Sequence, residues 1–120
     1  MIMDSKQIME TVVKAMDSKK AIDIKALDIS KITTMADYFV ICQGGSTTQI
    51  KAIADEVEEK LSESGVKPFG REGMNTAYWI LMDYSDVIVH IFSSESRSFY
   101  SIENLWADAE NVDLSHIIEE

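Results

Sequence analysis

The hydrophobic pattern at the start of the chain predicts one helix followed by two strands. Asp4 and Gln7 have the spacing of a capping box ahead of apolar residues three to four positions apart, which predicts a helix ending near residues 18–20. The segment AIDIKALDI at 21–29 alternates apolar and polar residues, as a half-buried strand does. The segment DYFVICQ at 37–43 is short, aromatic and β-branched, which is typical of a central strand buried on both faces.

A glycine turn and a second amphipathic helix follow these strands. Gly44 and Gly45 turn the chain, and Ser46 with Gln49 repeats the capping-box spacing. Apolar residues then form one helical stripe, composed of Ile50, Ile53, Ala54, Val57 and Leu61. Gly65 has the place of a C′ residue after this helix. We predict that Gly45→Ala harms folding more than function, at a cost on the order of 1 kcal/mol if Gly45 holds a positive φ.

The second half of the chain predicts a β-hairpin. After the loop PFGREGMN, the segments TAYWILMD at 76–83 and DVIVHIF at 86–92 have strong strand character. Tyr84 and Ser85 lie between them, so we predict a two-residue hairpin turn at these positions.

The remaining segments complete an α/β pattern. The serine-rich segment at 93–98 can cap a last helix whose inward residues are Phe99, Ile102, Leu105, Trp106 and Ala109. The tail at 110–120 has no clear period and is expected to fray or to dock. The order αββαββα, with room for a short strand near Val66, predicts a single α/β domain over 1–120 with a mixed β-sheet packed with helices.

Composition is that of an ordinary globular protein. The chain has 120 residues, of which 46% are hydrophobic and 27% are charged, enough for one domain with a real core. No apolar run approaches the roughly 18 residues that span a bilayer, and the start of the chain lacks the apolar segment of a secretory signal. Cys42 is the only cysteine, so we expect a buried thiol without a disulfide or a cysteine metal site. These features favour a cytoplasmic protein.

Charge is distributed unevenly along the chain. Residues 1–71 carry 11 acids and 10 bases, whereas residues 72–120 carry 10 acids and one base, Arg97. Direct binding of RNA or DNA needs a basic surface and is therefore disfavoured. An acidic second part suits a basic partner, although solubility alone would also account for it.

The glycine turn raises the hypothesis of a phosphate site. It lacks the Lys-Ser/Thr of a P-loop and the third spaced glycine of a dinucleotide fingerprint. A glycine-serine turn also opens a helix in nucleotidyltransferases, which need two carboxylates on a nearby strand to hold Mg²⁺. The acids at that distance, Asp55 and Glu56, lie instead on the amphipathic helix, where adjacent side chains diverge. We therefore favour a structural turn and cap over nucleotide chemistry.

The two histidines give no catalytic or metal pattern. His90 lies alone within a strand, with no cysteine, aspartate or second histidine at metal-ligand spacing, and His116 lies in the tail. A single histidine in a strand is more often a core or surface residue than a ligand or a base. We predict neither a metal site nor catalysis at His90.

The hairpin register determines which side chains share a face. A turn at Tyr84 and Ser85 pairs Asp83 with Asp86, and like charges directly opposite each other cost up to about 1 kcal/mol. One face is then apolar apart from a phenol and should pack on helices; it holds Tyr78, Ile80, Met82, Val87, Val89 and Ile91.

The opposite face of the hairpin has the composition of a binding surface. In this register Leu81 meets Ile88, and Trp79 meets His90 beside the two facing acids. Aromatic anchors rimmed by charge are typical of interface hot spots. The alternative is that a helix covers Trp79 and His90 and that the acids are merely solvated.

Three segments of the chain resemble the ribosomal silencing factor family, also called the Iojap-like proteins. They are ADYFVICQGGSTTQIKAIADEV, REGMNTAYWILMDYSDVIVHIF and SRSFYSIENLWADA, in the order and at the spacing of the family. The match runs from about residue 5 to residue 109. One departure is Ser85, where the family pattern has glycine; a positive φ there would cost serine up to about 1 kcal/mol.

The resemblance implies a fold related to nucleotidyltransferases but without their catalytic acids. It also implies binding of the large ribosomal subunit through ribosomal protein fourteen of that subunit. Bound there, such a protein blocks joining of the small subunit and lowers translation when nutrients are scarce. The resemblance further implies a homodimer when the protein is free. From composition, charge and motifs we predict no cofactor, no membrane contact and no direct sequence-specific nucleic-acid binding.

These observations give a set of candidate partner-binding residues and no catalytic or metal residue. The set comprises Trp79, Leu81, Asp83, Asp86, Ile88, His90, Arg97 and Tyr100. We expect Trp79→Ala to stay folded with a small shift in melting temperature and to lose the large subunit. The alternative function is a nucleotide-binding or nucleotidyl-transferring enzyme that uses Gly44, Gly45 and Ser46. A dimeric scaffold without ribosome contact is a third possibility.

Overall fold

The order of helices and strands follows the hydrophobic pattern. The computed structural model describes residues 3–100, 104 and 106–118, and the side chains of Phe99 and Tyr100 lie outside that description. The elements are α1 (Ser5–Ser18), β1 (Ile22–Asp28), β2 (Tyr38–Gly44), α2 (Thr47–Glu63), β3 (Gly70–Glu72), β4 (Trp79–Asp83), β5 (Val87–Ser93), α3 (Ser94–Tyr100) and β6 (Glu110–Asn111). The short strand β6 is an addition to the predicted order, and β3 is the extra strand, which was expected near Val66.

The sheet is mixed, as predicted. Within the described residues, six strands form one sheet in the order β3-β4-β5-β2-β1-β6. β2 and β5 are parallel neighbours at its centre, and the other neighbouring strands are antiparallel. Val40, Ile41 and Cys42 on β2 are fully buried, which confirms the prediction of a central strand covered on both faces.

The two faces of the sheet differ in what covers them. Helices α1 and α2 pack on one face, here called the helical face, and the predicted stripe of α2 lies in its core. The sheet contributes several side chains to this core, including Val40, Ile80, Met82, Val89 and Ile91. The other face, here called the second face, carries a smaller cluster of Leu27, Ile29, Ala36, Phe39, Ile41, Phe92 and Ala109. Among the described residues, no helix is both long and apolar enough to cross a membrane.

The helix starts are capped as the sequence predicts, with one difference. The Asp4 carboxylate accepts from the Gln7 backbone N–H at 2.8 Å, and the Gln7 side chain accepts from the Asp4 N–H at 2.9 Å. At α2 the Ser46 hydroxyl accepts from the Gln49 N–H at 3.1 Å. However, the Gln49 side-chain oxygen accepts from Gly45 at 2.6 Å instead of from Ser46, so only half of the second capping box forms.

The glycines next to α2 have different functions from those expected. Gly45 does not hold a positive φ, so the condition for a cost of about 1 kcal/mol is not met, and a Cβ there would meet only the Gln49 side-chain oxygen, at 3.4 Å. A Cβ on Gly44 would lie 2.7 Å from Cγ1 of Ile50, so close approach of strand and helix excludes a side chain at this position. Gly65, at φ 80°, ends α2 as predicted.

The predicted hairpin register is shifted by two residues. The turn residues are Ser85 and Asp86, and Asp83 therefore pairs with Ile88 instead of Asp86. Ser85 has φ 70° while Asp86 is not at positive φ, as in a type II′ turn and unlike the type I′ turn expected from the family pattern. The Asp86 carbonyl accepts from the N–H groups of Asp37 and Tyr38 at 2.8 and 3.1 Å, so contact with β2 helps to determine the turn. A shift of two keeps every side chain on its predicted face.

The remaining differences concern the short strands and the tail. The extra strand lies at Gly70–Glu72 instead of near Val66, because these residues pair with β4. Glu110 and Asn111 pair with β1, and the Ile117 side chain is buried in the core on the helical face. The tail up to residue 118 is therefore docked, not frayed. Of the predicted last helix, Ile102 and Leu105 lie outside the described residues. Trp106 and Ala109 lie in non-helical turns beyond α3, which corrects the prediction of a helix there, although both pack inward on the second face as expected.

Candidate partner-binding surface

The end of the second face near the hairpin turn is only partly covered. Leu81 and Asp83 on β4 and Ile88 on β5 are half-buried there. Two loop residues stand beside them, Met35 and Phe69, which are 56% and 80% exposed. Large apolar side chains with this much exposure, clustered together, are typical of surfaces that bind a partner.

These side chains surround a cavity of about 540 Å³. Its lining comprises Met35, Phe39, Phe69, Leu81, Asp83, Ser85, Ile88 and His90. The wall is mostly apolar, and a carboxylate and a hydroxyl stand at the turn. The size is that of a site for a few partner side chains or a small ligand.

Strand periodicity explains why these residues share one face. On β4, Ile80 and Met82 point to the helical core, so Leu81 and Asp83 point to the second face. Pairing places Leu81 beside His90 and Asp83 beside Ile88. Four of the eight predicted partner-binding residues, Leu81, Asp83, Ile88 and His90, thus line one cavity.

Acidic residues rim this cavity. Glu72 on β3 is exposed and is paired with Leu81, so its side chain lies on the second face. Asp83 lines the cavity itself, and Asp86 is exposed at the hairpin turn. The shifted register separates Asp83 from Asp86, which removes the direct opposition of like charges that the predicted register contained.

His90 lies in a group of aromatic rings on the second face. Its ring centroid is 4.9 Å from that of Phe39 and 5.8 Å from those of Trp79 and Phe92. The Trp79 indole Nε1–H donates to Nδ1 of His90 at 3.1 Å. Trp79 is directly paired with Phe92, so its contact with His90 is diagonal, not the direct pairing predicted.

Burial determines the charge of His90. The residue is 3% exposed, and desolvation lowers the pKa of its imidazole to about 4. The ring is therefore neutral near pH 7. Because an indole N–H can only donate, Nδ1 is the acceptor and the ring proton resides on Nε2.

The predicted surface residues Trp79 and His90 are less accessible than a free anchor would be. Trp79 is half-buried and packs against the smaller cluster, with its ring 5.1 Å from that of Phe92. Its packing lies between the two predictions, since neither full coverage by a helix nor free exposure describes it. Trp79 therefore contacts the cavity wall through His90, to which it donates and on which its ring packs.

Arg97 is not brought together with the cavity. Its guanidinium donates to the Asp23 carbonyl at 2.9 Å and to the Gln43 side-chain oxygen at 3.5 Å. Gln43 lies four residues beyond Phe39 on β2, so Arg97 occupies the other end of the second face, in a separate polar cavity of about 350 Å³. The Tyr100 side chain lies outside the described residues.

The glycine turn borders another cavity, of about 280 Å³. It lies beyond the carboxyl ends of the parallel strands β2 and β5. The helix after β2 packs on the helical face, whereas α3 after β5 places Arg97 at the second face. Ligands of open α/β sheets often bind at such a point. However, Glu95 lines the cavity and would repel phosphate, and no lysine or arginine is among its described lining residues. Asp55 is exposed on α2 and pairs with Arg71 at 3.8 Å.

Sequence reasoning missed Met35 and Phe69. Both lie in loops without hydrophobic periodicity, so no pattern places them on a face. The available signal was a phenylalanine between Pro68 and Gly70, in a segment where polar turn residues are usual. The backbone N–H of Phe69 donates to the Asp83 carbonyl at 2.7 Å, which holds the residue at the cavity.

Comparison with known proteins gives consistent matches over nearly the whole chain. The family model described as "Ribosomal silencing factor during starvation" matches residues 2–120. A Bacillus subtilis protein named ribosomal silencing factor RsfS is 44% identical over 112 residues, covering 93% of this chain and 95% of that protein. A protein of the same name from Halalkalibacterium halodurans is 39% identical over 116 residues, covering 97% and 99%. A crystal structure of a Chromobacterium violaceum protein superposes with a TM-score of 0.85 at 37% identity, covering 88% of each chain.

Proposed function

The chain belongs to the ribosomal silencing factor family, and from this premise we propose that it represses translation by binding the large ribosomal subunit. Ribosomal protein fourteen of that subunit is the proposed contact. Bound there, the protein blocks joining of the small subunit sterically and lowers translation when nutrients are scarce. The proposed site of action is the cytoplasm.

The observation that carries this proposal is the exposed apolar cavity on the second face. Phe69, Leu81 and Ile88 offer apolar surface that the fold leaves partly uncovered. Asp83 lines it, and Glu72 and Asp86 lie on β3 and at the hairpin turn, as in an interface with an apolar centre and a polar rim. Half of the residues predicted to bind the partner meet at this cavity, which supports a binding function of the surface.

The charge at the rim supports a basic partner. Glu72, Asp83 and Asp86 lie at or beside the cavity, and a protein that coats ribosomal RNA is basic. We expect the affinity for the large subunit to fall as salt rises, since salt screens pairing between exposed charges. An affinity that is constant from low to high salt would remove charge pairing from the proposal.

The direct experiment is co-sedimentation with purified large subunits. Phe69→Ala truncates the most exposed of these apolar side chains, so it should leave melting unchanged and weaken binding by about tenfold or more. Ile22→Ala is the matched control, because Ile22 is also exposed and apolar but does not line the cavity. Equal binding by both variants would move the interface away from this cavity.

We also propose that the free protein is a homodimer that uses the same apolar surface. Burying Phe69 and Met35 against a second copy would remove their exposed area from water. Binding to the subunit would then compete with dimerisation. In analytical ultracentrifugation, Phe69→Ala should shift the protein toward the monomer, whereas Ile22→Ala should not.

A nucleotide-dependent enzyme is the second candidate function, and the position of the glycine-turn cavity at the carboxyl ends of β2 and β5 favours it. The relation of the fold to nucleotidyltransferases belongs to the same hypothesis. Incubation with Mg²⁺ and each nucleoside triphosphate tests it. Saturable binding or turnover would support an enzyme, while subunit binding that needs no nucleotide would support silencing.

A further inference from the structure

His90 contains a buried hydrogen-bond donor that the fold does not use. Its Nδ1 accepts from the Trp79 indole, so the proton of the neutral ring lies on Nε2. Nε2 is shielded from solvent and has no hydrogen-bond partner among the described residues. A buried donor without an acceptor costs free energy and is rare in native proteins.

The position of this donor is what suggests a use for it. His90 forms part of the wall of the 540 Å³ cavity, next to Leu81, and the exposed Met35 lines the same cavity. A methionine side chain has three rotatable bonds, and Met35 is 56% exposed, so it can change rotamer without loss of packing in the core. A group that enters the cavity can therefore come within reach of the imidazole.

We propose that His90 is a specificity-determining residue of this surface, whose Nε2–H donates to an uncharged oxygen, a carbonyl or a hydroxyl, of a basic protein partner. This inference rests on the proposed function and adds the chemistry of the contact. The partner inserts an apolar side chain between Phe69 and Ile88, and the oxygen accompanies it to the cavity wall.

Chemistry excludes the charged alternatives for the group that meets His90. Lysine and arginine side chains only donate, so they cannot accept from Nε2–H. A carboxylate could accept, but Asp83 and Glu72 would repel it. The basic groups of the partner pair with the rim acids, and a neutral oxygen is left for the imidazole.

The first test uses the free protein. In ¹⁵N NMR spectra of histidine-labelled protein, the proton of His90 should reside on Nε2 at neutral pH. A proton on Nδ1 would overturn the inference, because Nε2 could then not donate. Trp79→Phe removes the indole donor, and it should allow the other tautomer to appear.

The second test measures binding to purified large ribosomal subunits by co-sedimentation. His90→Met removes the donor but keeps an apolar side chain of similar length, and it should weaken binding by about tenfold. His90→Gln keeps a donor near the position of Nε2, and it should bind within about threefold of the unaltered protein. His116→Met is the matched control, because His116 is exposed in the tail.

The outcomes separate this inference from the proposed function. Full binding by a folded His90→Met variant, or equal loss in both His90 variants, would overturn the hydrogen-bond assignment while leaving the surface intact. Loss of binding by Phe69→Ala together with normal binding by His90→Met would do the same. An unaltered protein that does not sediment with subunits would overturn the proposed function and this inference with it. Thermal melting confirms that each variant is folded. If His90→Met has a much lower melting temperature than the unaltered protein, the binding of His90→Gln to large subunits decides whether the hydrogen-bond assignment stands.

Discussion

The two faces of the sheet differ in how far their side chains are buried, although they are built from the same strands. Ile80 and Leu81 are neighbours on β4, yet Ile80 is fully buried under α2 while Leu81 lines the cavity on the second face. The helical face is packed by aliphatic side chains, and its burial stabilises the fold. The second face combines aromatic rings, a histidine and acids. One strand thus carries core residues and cavity-lining residues in alternation.

Truncation of both neighbours on β4 tests whether the two faces differ in their contribution to stability. Ile80→Ala creates a void in the main core and should lower the free energy of unfolding by about 2–5 kcal/mol. Leu81→Ala should lower it by less than about 1.5 kcal/mol, because the side chain is only half-buried. Urea denaturation of the two variants measures the difference. Similar losses would mean that the second face contributes to stability as the helical face does.

The pH dependence of the free energy of unfolding reports on His90 on the second face. Burial lowers the pKa of His90 from the usual 6.5 to about 4, so between these values the unfolded chain binds a proton that the folded chain does not. The neutral His90 therefore contributes to the free energy of unfolding. This contribution is fully present above pH 6.5, falls as the pH falls from 6.5 toward 4, and does not change further below pH 4. The total is on the order of 3 kcal/mol. His90→Met should lack this part of the pH dependence. If its free energy of unfolding changed with pH as that of the unaltered protein does, the pH dependence could not be assigned to His90.

Truncation of Trp79 tests how strongly the aromatic group holds the second face together. The sequence predicts a small shift in melting temperature for Trp79→Ala. The structure leads us to expect a larger loss, about 2 kcal/mol, because the half-buried indole packs on Phe92 and donates to His90. Melting of Trp79→Phe is the control, since it keeps a ring but not the donor. A loss near zero for Trp79→Ala would return Trp79 to the position of an exposed anchor.

A smaller effect is expected at the strand-to-helix turn on the helical face. Gly44→Ala places a Cβ 2.7 Å from Ile50 and should destabilise the protein by at least about 1 kcal/mol. Gly45→Ala meets only the end of the Gln49 side chain and should change stability by less than about 0.5 kcal/mol. Melting of the pair measures this contrast. Normal stability of both, with lost activity in Gly45→Ala, would revive the phosphate hypothesis for this turn.

Much of the fold was predictable because its signals are local. The capping pair Asp4 and Gln7, the stripe of α2 and Gly65 each follow from residues a few positions apart. The hairpin register was not predictable in this way, since the alternation of apolar and polar residues has a period of two and is unchanged by a shift of two. The turn is held by hydrogen bonds from β2 to the Asp86 carbonyl, a contact between segments far apart in sequence.

The candidate site was predictable where it lies on strands and not where it lies on loops. Alternation on β4 and β5 placed Leu81, Ile88 and His90 on one face before the register was known. Phe69 and Met35 come from loops, whose side-chain directions depend on tertiary contacts. The depth of His90 also had no local signal, because it arises from rings on β2 and β5 that pack around it.

We propose that the second face binds the large subunit and so blocks subunit joining, and a subunit-joining assay tests this proposal. Large subunits are incubated with unaltered protein or with Leu81→Ala, small subunits are added, and joining is followed by light scattering. The unaltered protein should block joining, and Leu81→Ala should remain folded but block it only at roughly tenfold or higher concentration. Equal blocking by the two proteins would contradict the account, because the half-buried leucine of the cavity would then have no part in binding.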